Sequence, residues 1–174
     1  MNDRRSDPDP GQEPTPAKGF RVPGRVLVSR PFRAIGPRII PPFHRAINRL
    51  TGGRTLLDSA AQPMLMLFTT GARTGRLRET PLAAVPLEKG RFLVVGSNFA
   101  RENHPAWTAN LIVNPDAEIV YRGERRPVRA RLLEGNERAQ RWRIAVAWFP
   151  GWTDYVTVTD REFRLFELEP RQSA

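Results

Sequence analysis

The chain has 174 residues, a formal net charge of +10 and no cysteine, enough length for one domain with a substantial core plus extensions. The absence of cysteine excludes disulfides, thiolate catalysis and cysteine-ligated metals, and with only His44 and His104 as histidines no metal centre is expected. No apolar run reaches the length of a spanning helix and residues 1–19 carry no apolar signal core, so the expected location is cytoplasmic.

The positive charge is concentrated. Residues 1–19 hold three basic and four acidic side chains, residues 20–54 hold eight arginines and no acid, and the remainder is close to balanced. Only Lys18 and Lys89 are lysines, the mark of a GC-rich coding genome. Residues 1–19, rich in Pro, Asp, Gln and Gly, bury too little apolar area to offset chain entropy and are expected to be disordered. In residues 20–54, Pro37, Pro41 and Pro42 break any long helix. Beyond them Phe43, Ala46, Ile47 and Leu50 share one helical face, with Arg45 and Arg49 on another. Such a basic amphipathic arm suits an anionic membrane surface, or it packs on the domain with its arginines in water. Nucleic acid is not an expected partner, because no recognition fold or aromatic platform is visible.

From residue 55 to 170 the pattern is that of a barrel domain. Strands are expected at Met64–Thr70, Arg78–Leu87 and Arg91–Ser97, with Glu88-Lys89-Gly90 turning between the latter two. Pro105 opens a helix through Trp107 and Leu111 to the stop at Asn114-Pro115-Asp116. Strands Ala117–Arg122 and Arg125–Leu133 flank Gly123-Glu124. Helix Asn136–Val146, an aromatic segment Trp148–Val158 and a last strand Arg164–Glu169 follow. Short antiparallel hairpins with inserted helices fit a small closed, mainly β barrel.

The stretch Phe68–Pro81, FTTGARTGRLRETP, holds the clearest chemistry. Gly71 and Gly75 bracket a turn carrying Arg73, Thr74 and Arg76, with Arg78 next. Glycines permit close backbone approach, successive N–H groups can form an anion nest, and arginine forks bind phosphate bidentately. The same residues also read as a solvated hairpin turn. Gly96-Ser97-Asn98 ends the third strand where a flat ligand could approach, or is a plain loop start. His104 precedes a helix N-terminus, which attracts anions, while Trp107 suits a core. Phe149, Trp152 and Tyr155 recur at i, i+3, i+6 and either line a pocket or fill the core. No Ser–His–Asp order, paired carboxylates, P-loop or G-x-G-x-x-G is present, so the chain reads as a holder of a planar, phosphate-bearing ligand.

Taken together, FTTGARTGRLRETPL, VVGSN, HPAWTANL, NPDAEI and FPGWTDYVTVTDREF resemble, in order and spacing, the deazaflavin-dependent nitroreductase family, over roughly residues 50–170. The resemblance implies a split β-barrel of the flavin-reductase kind, coenzyme F420 as hydride donor (with FMN as the alternative cofactor), and quinone or nitroaromatic acceptors. It also implies an actinobacterial origin and frequent peripheral association with the membrane.

Position by position, the resemblance places Ala72, Arg73, Thr74, Arg78, Glu79, Thr80, Pro81, Leu82 and Ala83 along the coenzyme's acidic side. Val95, Gly96, Ser97 and Asn98 then line the ring, and Ala106, Trp107, Thr108, Ala109 and Asn110 close the phosphate side. Phe149, Trp152 and Tyr155 form the substrate wall, Trp152 also meeting the coenzyme. Ser97 and Tyr155 are the catalytic candidates, as hydroxyl donors to the reduced acceptor, with His104 a further one. The chain has Ala72 where the family usually has a basic residue, Asn98 where some members have lysine, and Phe149 and Trp152 where some have tyrosine. A non-catalytic flavin or deazaflavin carrier, or a membrane-surface adaptor, are the competing readings. Such barrels occur as dimers and as monomers.

Overall fold

The computed structural model describes residues 63–171; the expected tail at 1–19 and basic arm at 20–54 lie outside them. Six antiparallel strands close a barrel: β1 (Met64–Thr70), β2 (Leu77–Pro86), β3 (Phe92–Val95), β4 (Asp116–Tyr121), β5 (Glu124–Leu132) and β6 (Leu165–Pro170). Around the barrel they run β1-β2-β3-β6-β5-β4, with β4 returning to β1. Three helices are inserted: α1 (Ala106–Val113) between β3 and β4, then α2 (Gly135–Trp148) and α3 (Gly151–Val156) between β5 and β6.

Strand alternation builds two cores. Leu65, Leu67, Ala84, Phe92, Val94, Ile119, Val128, Phe166 and Leu168 point inward, and Trp107 and Leu111, four residues apart on α1, plug the interior from one end. The Trp107 and Phe166 rings lie 5.7 Å apart. Val85, Leu93, Val95 and Leu165 point outward and are covered by Ala145 and Trp148 of α2 and by Trp152 and Tyr155 of α3. Burying both faces is what makes β3 a continuous apolar run.

The barrel is split where hairpins outrun their neighbours. β2 pairs with β1 from Leu77 to Ala83, but with β3 only from Ala84 to Pro86. Among the described residues the other edge of residues 77–83 has no strand partner, and Pro81 is tolerated there, since its missing N–H interrupts no ladder. Among the described residues the expected strands and helices form, with ends displaced by one or two residues. The aromatic segment takes up a short helix after Pro150.

Candidate functional site

The Gly71–Arg76 turn projects from the β1–β2 hairpin. Its ends are tied by Gly71 N–H to the Arg76 carbonyl at 2.8 Å. Gly71 has no room for a side chain: a Cβ would stand 3.0 Å from Thr74 Oγ1 and 3.1 Å from the Arg76 carbonyl. Gly75 sits at φ 64°, a left-handed position.

The expected backbone nest does not form. Thr74 and Gly75 N–H both donate to the Gly71 carbonyl, Arg76 N–H donates to Thr74 Oγ1 at 3.4 Å, and Ala72 N–H donates to Asn110 Oδ1 at 2.9 Å. These donors shape the turn itself. What the turn offers outward is side chains: Arg73, Thr74, Arg76 and Arg78 are all exposed, and no ion pair among the described residues engages the three arginines. Most arginines of β5 are instead matched, as Arg125 with Glu118 and Arg129 with Asp116. The unpaired group is a donor set suited to a phosphate or a string of carboxylates.

Helix α1 joins this turn to the second cluster. Asn110 is buried and holds the turn with both ends of its amide, accepting from Ala72 and donating to Thr69 Oγ1 at 2.9 Å. Two residues earlier, Thr108 is fully buried; its hydroxyl donates to the Pro105 carbonyl and accepts from Arg164 Nη1 at 3.1 Å. Its methyl carbon leaves no space above Gly96, where a Cβ would approach to 2.8 Å. Gly96 is thus the residue that lets β3 end directly under α1.

Beyond Gly96 the backbone is strained. Asn98, Phe99 and Ala100 are consecutive non-glycine residues at φ 48°, 55° and 55°, each in a region that costs about 1–3 kcal/mol for such residues. Arg161, which sequence reasoning passed over, holds this segment. Its guanidinium donates to the carbonyls of Gly96, Ser97 and Arg101 at 3.1, 2.7 and 3.0 Å, and to His104 Nδ1 at 3.0 Å. His104 Nδ1 must then be an acceptor, which places the ring proton on Nε2. Burial first, then the charges of Arg164 and Arg161, keep its imidazole below the ordinary histidine range.

The remaining expected residues divide by exposure. Glu79, Thr80, Pro81, Leu82 and Ala83 line the free edge half-buried; Val95 is buried, Ser97 and Asn98 half-buried; Ala106 and Ala109 are exposed on α1. Trp107 belongs to the barrel core. Trp152 and Tyr155 are buried at 7% and 5% exposure in the outer core with Val95 and Ala100. Phe149 is half-buried with its ring 4.8 Å from that of Trp152. The aromatic trio therefore backs the 96–100 segment rather than standing as an open wall.

Residues 42–170 match the family model of the F420H(2)-dependent quinone reductases. An F420H(2)-dependent quinone reductase of Mycobacterium tuberculosis (strain ATCC 25618 / H37Rv) is 34% identical over 115 residues, covering 64% of this chain and 76% of that protein. Among solved structures, an F420-H2 dependent reductase (FDR-A) is 36% identical, covers 62% of this chain and 94% of its own, and superposes with a TM-score of 0.56. A domain-swapped dimer is 31% identical, covering 80% of this chain and 99% of its own at a TM-score of 0.59. The fold is the split barrel of the flavin and F420 reductases, and the chain belongs to the F420H(2)-dependent quinone reductase family.

Proposed function

We propose that this protein transfers a hydride from reduced coenzyme F420 to a quinone, with the acidic part of the coenzyme on the β1–β2 turn and its ring at the end of β3. The observation that carries the reading is the union, through α1, of an arginine turn that makes no ion pair among the described residues with the strained segment after Gly96. The residues fit the group: three exposed guanidiniums and Thr74 match a phosphate with an oligoglutamate tail, and Gly96 permits close approach of a planar ring.

When bound, the reduced coenzyme supplies the two electrons as hydride. Arg73, Thr74 and Arg78 would hold its acidic end, and the Val95–Asn98 backbone would receive the ring. The quinone takes up the hydride and one proton, and the charge that develops on its oxygen calls for a fixed donor. Ser97, half-exposed at the ring end, is the first candidate for that donor. Tyr155 is buried in the same cluster as Ala100, so its hydroxyl is the second. Nitroaromatic compounds are further acceptors to be assayed. Among the described residues no helix is long and apolar enough to cross a membrane. The arginine-rich residues 20–54 would bring the barrel to an anionic surface where lipid-soluble quinones reside.

The test is anaerobic oxidation of reduced F420 by a water-soluble naphthoquinone, with wild type, Ser97→Ala and Tyr155→Phe. The reading expects saturable, protein-dependent oxidation that falls more for Ser97→Ala than for Tyr155→Phe. Binding without turnover on any quinone would favour a carrier. Salt-sensitive sedimentation with anionic vesicles would support the membrane contact, and its absence would remove it.

A further inference from the structure

We propose that Arg161 is a positioning residue of the coenzyme site: by holding the carbonyls of Gly96, Ser97 and Arg101 and the ring of His104 at once, it keeps the 96–104 segment in the strained shape that receives the ring. This rests on the reading of that segment as the ring site.

Three observations converge. The first is the strain itself, three successive left-handed residues with side chains. Such backbone persists only where its surroundings over-determine it. Local bonds supply part of the restraint, through Ala100 N–H to the Ser97 carbonyl at 3.0 Å and Arg101 N–H to the Asn98 carbonyl at 3.1 Å. The second is the placement of the Arg161 contacts, which grip the chain on both sides of the strained turn, at Gly96 and Ser97 before it and at Arg101 and His104 after it. A guanidinium fork can satisfy several acceptors from one fixed plane, which a lysine ammonium cannot reproduce. The third is that Arg161 is itself fixed, its guanidinium 4.8 Å over the ring of Phe163, a fully buried residue just before β6. The carbonyl of Ser97 is among those held, so the orientation of its hydroxyl at the ring end depends on a residue 64 positions away.

Arg161 also lines a cleft of about 370 Å³ together with Arg138, Trp142 and Thr159.

The experiment uses the full chain as wild type, Arg161→Lys, Arg161→Ala and, as a control on an exposed pair, Arg126→Ala. Two properties are read without turnover: amide exchange at Ala100 and Arg101, and the NMR titration of the His104 ring. Affinity for F420 is measured alongside. The expected result is faster exchange at both amides in both Arg161 variants, and a His104 titration shifted up in Arg161→Ala, where one of the charges that depress it is removed. F420 binding should weaken about tenfold or more in Arg161→Lys and further in Arg161→Ala. Millimolar guanidinium should restore part of the affinity of Arg161→Ala, and Arg126→Ala should match wild type throughout. If Arg161→Ala fails to fold, Arg161→Lys carries the comparison. Unchanged amide exchange and unchanged F420 affinity in a folded Arg161 variant would overturn the proposal. Failure of wild type to bind F420 would instead overturn the ring-site reading, while the exchange data would still decide whether Arg161 holds the segment.

Discussion

Asn110 Nδ2 donates to Thr69 Oγ1 over 2.9 Å, both residues buried, while the same amide accepts from Ala72 N–H. One side chain on α1 thereby fixes the end of β1 and the start of the arginine turn. Replacing it with alanine leaves a buried hydroxyl and a backbone N–H without their partner. Asn110→Ala should lower stability by about 1–3 kcal/mol and weaken F420 binding together. Denaturant unfolding and a coenzyme titration check this, and a stable variant with normal affinity would show that α1 does not organise the turn.

The arginines themselves should behave in the opposite way. Arg73 and Arg78 are exposed and outside any core, so Arg73→Gln with Arg78→Gln should change stability by no more than about 0.5 kcal/mol. Affinity for F420 should fall by about tenfold or more, and its dependence on salt should flatten. A double variant with wild-type affinity and salt dependence would return the turn to an ordinary solvated hairpin.

Gly96 offers a steric test of how closely β3 meets α1. Gly96→Ala would drive a methyl group to 2.8 Å from Thr108 Cγ2 and 3.2 Å from the Arg164 carbonyl, an overpacking that costs about 1–3 kcal/mol. Adding Thr108→Ser removes the opposing methyl while keeping the hydroxyl that bonds Pro105 and Arg164. The double variant should therefore recover part of the lost melting temperature. An innocuous Gly96→Ala would mean that α1 has room to move away.

His104 sets a pH dependence. Burial, Arg164 and Arg161 lower its folded pKa from 6.5, so the unfolded chain takes up a proton at higher pH than the folded one. The contribution is fully present above about pH 6.5 and is lost progressively as pH falls toward the depressed folded value, below which it levels off. The urea midpoint of wild type should decline across that window, and His104→Gln should lose this component of the slope. Equal slopes in the two proteins would contradict the assignment of a neutral, acceptor Nδ1.

The barrel was legible because its strands are short apolar runs separated by glycine turns, and α1 because Pro105 opens it and Asn114-Pro115 closes it. The arginine turn was legible for the same local reason, the spacing of Gly71 and Gly75. Its lack of a nest was not, because the Ala72 N–H is taken by a side chain 38 residues away. Arg161 was hidden likewise: it reads as a surface arginine until folding brings it to carbonyls 60–65 residues earlier. Glu167 is a third case. Strand alternation gives it an outward face, yet α2 covers that face, and the carboxylate is fully buried against Arg91 and Arg141. The i, i+3 aromatic spacing of Phe149, Trp152 and Tyr155 was compatible with pocket or core. The latter two are buried against β3 and Ala100.

The most direct measurement of the central claim is a titration of the full-length protein with coenzyme F420 and, in parallel, FMN, followed by tryptophan fluorescence. Trp107, packed in the barrel core one turn from Asn110, and Trp152, packed beside Val95 and Ala100, sit close enough to report occupancy. The account predicts saturable quenching by F420 that weakens with salt, and weaker binding of FMN, which has a phosphate but no carboxylate tail for the turn to hold. Preference for FMN would keep the barrel and change the cofactor. Absence of binding by F420 would contradict the site.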